Sequence, residues 1–370
     1  MTYKVVYILD YTMSVKGGAQ LSTLNTAIEI TKKFGVETYI IAPKSTERLL
    51  HSDGVKVIEL ETCTNRIPVP HINPINFAKT ANEIREIVKK ISPEIVHSQM
   101  PGAFILAGLV PNCKRIHTDR GLYSGYSALS KLAFMLLQWR FNKLILTTKF
   151  NYNKWPWPEK KKEVIYNSIS SAFLEYKENE ERKNSNILRV GFSGRYTFVK
   201  NWPLIKDIIE SLVDKKIPIE VKIAISVNRN SKEESLSYEN FKYSLLQIKN
   251  DITINEELNQ NEMASFYSGI DVFIIPSVFE SFGKVAVEAM ARHCCVLSSN
   301  VGGLPEVIGN NSYVMDLDKN SYINKLIELI ENPDELENAK KFFFYRYNKE
   351  FSQDNNTNLH HDLYSEIKKN

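Results

Sequence analysis

The sequence predicts an α/β protein of two doubly wound, parallel-sheet domains facing across a cleft. Three observations carry that prediction. Short apolar, β-branched runs alternate with helical patterns from the start of the chain. The rhythm breaks in a polar, charged stretch through Lys183-Asn184-Ser185-Asn186 and then restarts. The length, 370 residues, suits two domains of roughly 150 residues each with their own cores.

The elements follow in order. Lys4-Val5-Val6-Tyr7-Ile8-Leu9 reads as a buried parallel strand, followed by a loop with Gly17-Gly18-Ala19 and a helix over 20–34. Strands are expected at 37–42 and 55–60, a helix at 77–90 with Ala81, Ile84, Ile87 and Val88 on one side, then strands at 95–97, 115–118 and 144–147. A further strand is expected at 163–167 before the polar break. The second half opens with a strand at 187–193, continued by strands at 219–225, 251–254, 272–275 and 296–299. Helices fit 203–213, 261–267 and 284–291. These patterns divide the chain into a first domain over 1–165, a second over 166–350 and a closing segment over 351–370.

Composition removes several classes. With 18 Tyr, 18 Phe and 4 Trp the chain is too aromatic for a disordered protein. The longest apolar run, Phe104 to Val110, is far short of the roughly 20 residues a membrane span needs. Met1-Thr2-Tyr3-Lys4-Val5-Val6 runs into a strand with no signal-peptide core. Cys63, Cys113, Cys294 and Cys295 form no C-x-x-C, so a reduced cytoplasm is expected. Charge is uneven: residues 1–165 hold 23 Lys+Arg against 13 Asp+Glu, and the rest 24 against 30. A basic first half fits an anionic partner, whether nucleic acid, a phospholipid surface or a phosphorylated substrate. No nucleic-acid-binding motif accompanies it.

The informative stretch is Pro276-Ser277-Val278-Phe279-Glu280-Ser281-Phe282-Gly283-Lys284-Val285-Ala286-Val287-Glu288-Ala289-Met290. A strand ends, a tight loop turns at Gly283, and a helix starts whose unpaired N-terminal amides attract anions. Glu280 precedes that helix and Glu288 lies about one turn inside it. Carboxylates repel phosphate, but they accept well from the hydroxyls of a sugar next to one. Arg195 and Lys200 sit in the loop after the strand ending near Ser193, where two cations can stabilise a departing diphosphate. A third loop, Ser299-Asn300-Val301-Gly302-Gly303-Leu304-Pro305-Glu306, shares that edge.

Together these residues resemble the retaining GT-B glycosyltransferases of family 4 (glycosyl transferases group 1). The resemblance rests on the E-x7-E pair Glu280/Glu288, the G-R-x4-K element Gly194-Arg195…Lys200, and the V-G-G-x-P-E-V loop. It extends to Gly17-Gly18-Ala19, Pro93-Glu94-Ile95-Val96-His97 and Val164-Ile165-Tyr166-Asn167-Ser168-Ile169, in order along nearly the whole chain. It implies a GT-B fold of two Rossmann-like domains, the acceptor on the first and a nucleotide-sugar on the second, with a C-terminal helix over 351–370 crossing back to the first. It implies transfer of a hexose or N-acetylhexosamine to a glycan or lipid-linked saccharide, with a uridine rather than a guanosine nucleotide and without a metal. Glu288 would then bind the donor ribose and Glu280 face the transferred sugar. The Ser281, Phe282, Gly283 and Lys284 segment, with Gly302 and Gly303, would hold sugar or phosphate. Arg195 and Lys200 would neutralise the leaving diphosphate, Gly18 would admit phosphate or acceptor, and His117 would lie near the sugar. A bacterial surface polysaccharide is the implied product class.

The sequence departs from that family's pattern in loops and in the strand between the domains. Asn167-Ser168 and Lys200-Asn201 replace asparagine-glycine and lysine-glycine, Ser226-Val227-Asn228-Arg229-Asn230 replaces a Gly-x-Gly loop, and His293-Cys294-Cys295-Val296-Leu297 stands where relatives often carry Gly-x-Pro-Val-Val. His97, Asp119 and Arg120 are expected on the acceptor side. Asp316-Leu317-Asp318 looks like a metal-binding D-x-D but reads as a loop feature. Trp155 and Trp157 beside Lys160, Lys161 and Lys162, after an apolar helix over 127–141, suggest peripheral contact with an anionic membrane. Two other readings of this architecture are a nucleotide-sugar epimerase and a non-catalytic scaffold subunit. Both sit poorly with four retained charges at the donor loops.

Overall fold

The computed structural model describes residues 3–14, 18–47, 52–174, 187–248 and 252–369. Gly17, Asp251 and the Lys183–Asn186 stretch lie outside these. The chain forms two compact units, Met1–Ser168 with Gln353–Asn370, and Ile169–Ser352.

The first unit runs β1 (Lys4–Leu9), α1 (Gly18–Phe34), β2 (Glu37–Lys44), β3 (Lys56–Thr64), α2 (Pro74–Ile91), β4 (Ile95–Gln99), α3 (Pro101–Leu109), β5 (Lys114–Asp119), α4 (Ala128–Leu137), β6 (Lys143–Leu146), α5 (Lys149–Lys154) and β7 (Lys162–Val164). Its strands pair in parallel in the order β3-β2-β1-β4-β5-β6-β7. Both faces are covered, which is why the strands read as continuous apolar runs. Val6, Ile8, Ile41 and Val96 pack to one side with Phe104 and Phe134, while Val5, Tyr7, Ile40 and Ile95 pack to the other with Leu24 and Leu363.

The second unit runs β8 (Leu188–Arg195), α6 (Trp202–Asp214), β9 (Ile219–Ser226), α7 (Lys232–Leu246), β10 (Ile252–Glu256), α8 (Gln260–Ser268), β11 (Val272–Ile275), α9 (Lys284–Ala291), β12 (Cys295–Ser299), α10 (Leu304–Ile308), β13 (Val314–Met315), α11 (Lys319–Glu331) and α12 (Pro333–Arg346). The parallel order is β10-β9-β8-β11-β12-β13. Strand order reverses between β1 and β4 in one sheet and between β8 and β11 in the other. Such switch points open the crevices where doubly wound folds bind ligands.

The last helix, α13 (Gln353–Lys369), belongs to the first unit and packs on α1. Thr26 donates to Asn356 at 3.0 Å, Lys33 pairs with Asp354, and His361 stacks on Phe34 at 3.7 Å. The strand expected over 163–167 ends at Val164. Beyond it, Asn167 accepts from the Arg120 guanidinium instead of extending a ladder. Helices α3, α7, α11 and α12 had no counterpart in the sequence reading.

Candidate functional site

The β8/β11 switch point gathers the charged residues of the second unit. After β8, a tight turn over Phe198–Lys200 precedes α6, whose Trp202 indole donates to the Arg195 carbonyl at 3.0 Å. The Val278 amide donates to the Val199 carbonyl at 2.9 Å, tying the loop after β11 to the loop after β8. That tie brings Lys200 into a direct ion pair with Glu280. The two side chains are 19% and 16% exposed, so water screens the pair only in part. Ser277 donates to the same carboxylate at 3.4 Å, and Ser299 at the end of β12 donates to the Ser277 carbonyl at 2.6 Å.

Two glycines make this close approach feasible. Gly302 has φ +58, and a Cβ there would fall 1.8 Å from the Glu280 carbonyl oxygen. The neighbouring Gly303 amide donates to that oxygen at 3.0 Å. Gly283, φ +86, begins α9 in the left-handed region, and a Cβ would meet Leu304 at 2.4 Å. Phe282 is buried edge-on against Phe351, which fixes the loop from beneath.

Glu288 lies about one turn into α9. The Tyr267 hydroxyl donates to it at 3.2 Å, and Lys284 stands 3.9 Å away. Burial pushes its carboxyl above the ordinary range, while the Lys284 ammonium and the Tyr267 hydroxyl pull it back. Tyr267 also shares a 3.2 Å contact with Ser193 on β8. Arg195 is exposed, with no side-chain partner among the described residues. Thus Lys200, Glu280, Ser281, Phe282, Gly283, Gly302 and Gly303 lie on three adjacent loops of one sheet edge, with Arg195 at the end of β8 and Lys284 and Glu288 at the start of α9. Chemically, the edge offers cations and a helix N-terminus for phosphate, and carboxylates for hydroxyls. Tyr267, Ser193, Ser277 and Ser299 went unforeseen, since a tyrosine in an amphipathic helix and serines at strand ends look like ordinary packing.

In the first unit three of the expected site residues, His97, His117 and Asp119, are fully buried. His117, expected beside a sugar, has no exposed surface. Its Nδ1 meets Ser98 at 2.9 Å, its ring lies edge-on to Phe104 at 5.0 Å, and burial lowers its pKa to about 3. His97, expected on the acceptor side, is equally buried, its nitrogens meeting Tyr364 at 2.6 Å and Thr118 at 2.7 Å. Asp119 is fully buried, accepting from Tyr126 and from the Trp155 indole at 3.1 Å; burial lifts its pKa to about 6. Arg120 braces Gln99 and Ser22 at 3.2 Å each as well as Asn167. Gly18 is exposed as the first residue of α1.

The expected membrane anchor is also corrected. Trp155 and Trp157 are 2% and 4% exposed within the aromatic core. Lys161 donates to the carbonyls of Gln138 and Phe141 at 3.0 and 2.8 Å, and Lys162 to those of Tyr152 and Trp155 at 3.0 and 3.2 Å. These lysines satisfy orphan carbonyls rather than facing lipid. Only Lys160 of the group is exposed. Asp318 of the D-x-D is the N-cap of α11, accepting from the Asn320 and Ser321 amides at 2.9 and 3.1 Å. Among the described residues no cluster of three or more His, Cys, Asp or Glu could hold a metal.

Two doubly wound parallel sheets, of seven and six strands, make the GT-B fold. Residues 175–342 match the family model described as glycosyl transferases group 1. It is 25% identical to an uncharacterized 42.6 kDa protein in the cps region of Klebsiella pneumoniae, covering 89% of this chain and 92% of that one. It is 24% identical to the O-antigen biosynthesis glycosyltransferase WclY of Escherichia coli, over 98% and 99% of the two chains. The solved glycosyltransferase of Rickettsia africae superposes with a TM-score of 0.81 at 20% identity, over 100% of this chain and 99% of that one.

Proposed function

We propose that this glycosyltransferase moves a hexose or N-acetylhexosamine from a nucleotide-sugar to a glycan or lipid-linked saccharide, with retention, in the synthesis of a bacterial surface polysaccharide. The observation that carries the reading is the Lys200–Glu280 pair set beside Glu288 and the N-terminus of α9. An ammonium and a carboxylate already in contact can part to serve two portions of one ligand, diphosphate and sugar. Arg195 joins Lys200 on the departing diphosphate, Glu280 accepts from the transferred sugar, and Glu288 accepts from the ribose. The C1–O bond to phosphate breaks as the acceptor oxygen bonds C1 on the same face. The acceptor proton passes to the departing phosphate oxygen, so no protein nucleophile is needed. Two cations give the charge stabilisation that a metal supplies elsewhere. The O-antigen relative supports the product class.

The test is a thermal-shift screen with UDP, GDP, ADP and their sugars. A rise of several degrees with one nucleotide, strongest for the uridine series and absent in Glu288→Ala, is expected. No rise with any nucleotide at millimolar concentration would overturn the donor site and favour the scaffold reading.

A further inference from the structure

Among the described residues Glu288 has one hydrogen-bond donor, and it is a tyrosine. The Tyr267 hydroxyl donates to its Oε2 at 3.2 Å, while the Lys284 ammonium stands 3.9 Å from Oε1, beyond hydrogen-bond reach. Tyr267 has no exposed surface, and its ring lies edge-on to Phe273 of β11 at 5.1 Å and to Phe266 at 5.4 Å. A phenylalanine would fill that place without burying an oxygen, and a buried hydroxyl costs stability unless it is hydrogen-bonded. What the hydroxyl adds is therefore its contacts.

Those contacts have a direction. A phenol carries a single proton and an ionised carboxylate only accepts, so the proton points at Glu288. Ser193 on β8, 3.2 Å from the Tyr267 oxygen, must then donate to it. The resulting chain runs from Ser193 through Tyr267 to Glu288, joining β8, α8 and α9 within the second unit. It holds one side of a carboxylate carried on a flexible stem. Oε1 and the second lone pair of Oε2 are left to accept from two adjacent hydroxyls, the pattern that the 2′- and 3′-hydroxyls of a ribose present. We infer that Tyr267 is a positioning residue that fixes the Glu288 carboxylate and so makes the site discriminate ribose from deoxyribose. This inference rests on the reading of Glu288 as the acceptor for the donor ribose.

The experiment measures by calorimetry the affinity of the full chain for UDP, GDP and ADP, each beside its 2′-deoxy and 3′-deoxy counterparts. In the wild type a ribonucleotide should bind about tenfold or more tighter than a deoxy form, the range for a hydrogen bond to a charged group. Glu288→Ala should abolish that preference. Tyr267→Phe should reduce it to about twofold while the affinity for the deoxy forms changes little. Ser193→Ala keeps the tyrosine and should reduce the preference in part, and adding it to Tyr267→Phe should cost nothing more. An unchanged thermal transition verifies the fold of each variant, and Ser193→Ala decides alone if the phenylalanine variant does not fold. A wild type that binds no nucleotide, or binds ribose and deoxyribose forms alike, would overturn the ribose reading and this inference with it. A wild type that discriminates, with both variants discriminating equally well, would leave Glu288 in its role and overturn that of Tyr267. Equal weakening of ribose and deoxyribose forms in Tyr267→Phe would also overturn it, marking the tyrosine as packing alone.

Discussion

Lys200 and Glu280 illustrate how much a single contact can decide. Each neutralises the other at a partly dry sheet edge. Lys200→Met should therefore lower transfer by about two to three orders of magnitude, the range for losing a preorganised charge on a leaving group. Steady-state kinetics with a fixed acceptor checks this, and full activity would remove Lys200 from the site. Gly302→Ala tests the scaffold around it: with φ +58 and a Cβ position 1.8 Å from a carbonyl, the loop must move. We expect Gly302→Ala to lose nucleotide-induced thermal stabilisation while the rest of the second unit keeps its fold. These charges were legible because their spacing in the loops is chemically specific. The burial of Trp155, Trp157 and His117 was not legible because exposure is not written in local composition. Tryptophans beside lysines suit an interface, yet here the lysines bind carbonyls and the indoles fill the core.

Elements were legible where a periodic pattern marked them. The strands are apolar since both sheet faces are covered, and α2, α6 and α9 show a buried stripe. Helix α3 escaped because Pro-Gly-Ala-Phe-Ile-Leu-Ala-Gly-Leu has no polar face to set a period. Its N-terminal anchor is also remote in sequence: Asp10 accepts from the Gly102 and Ala103 amides at 2.9 and 2.5 Å. Asp10→Ala should leave those amides orphaned and lower stability by about 1–2 kcal/mol, read as a lower midpoint in urea unfolding followed by first-unit probes. Helix α13 is held by a similarly remote polar chain, in which the Tyr364 hydroxyl contacts Tyr7 at 3.0 Å and His97 at 2.6 Å. Tyr364→Phe removes the shared partner of two buried groups and should cost about 1–3 kcal/mol by the same measurement. A midpoint unchanged in either variant would show that the network contributes nothing to holding its helix.

At the scale of the molecule, the first unit combines a basic sequence with a set of buried titratable groups, and their balance sets its acid stability. Burial lowers His117 to about 3 and His360 to about 4, and drives His97 well below its ordinary value. In the unfolded chain each takes a proton near pH 6.5. Below that pH the unfolded state gains up to three protons that the native state refuses, and stability falls. Asp10 and Asp119 act in the opposite sense, because burial raises both to about 6 and the native state binds their protons first. These five groups give a loss that grows smoothly to about one net proton, about 1.4 kcal/mol per pH unit, near pH 6 and continues as a shallow limb towards pH 4. The transition of the first unit, followed from pH 8 to 4, should show that limb setting in between pH 7 and 6. In His117→Phe one refused proton disappears while the ring still packs against Phe104, so the shallow limb should become nearly flat. An unaltered limb would mean that the buried imidazole titrates as it does in the unfolded chain, and that its enclosure by aromatic rings does not keep it neutral.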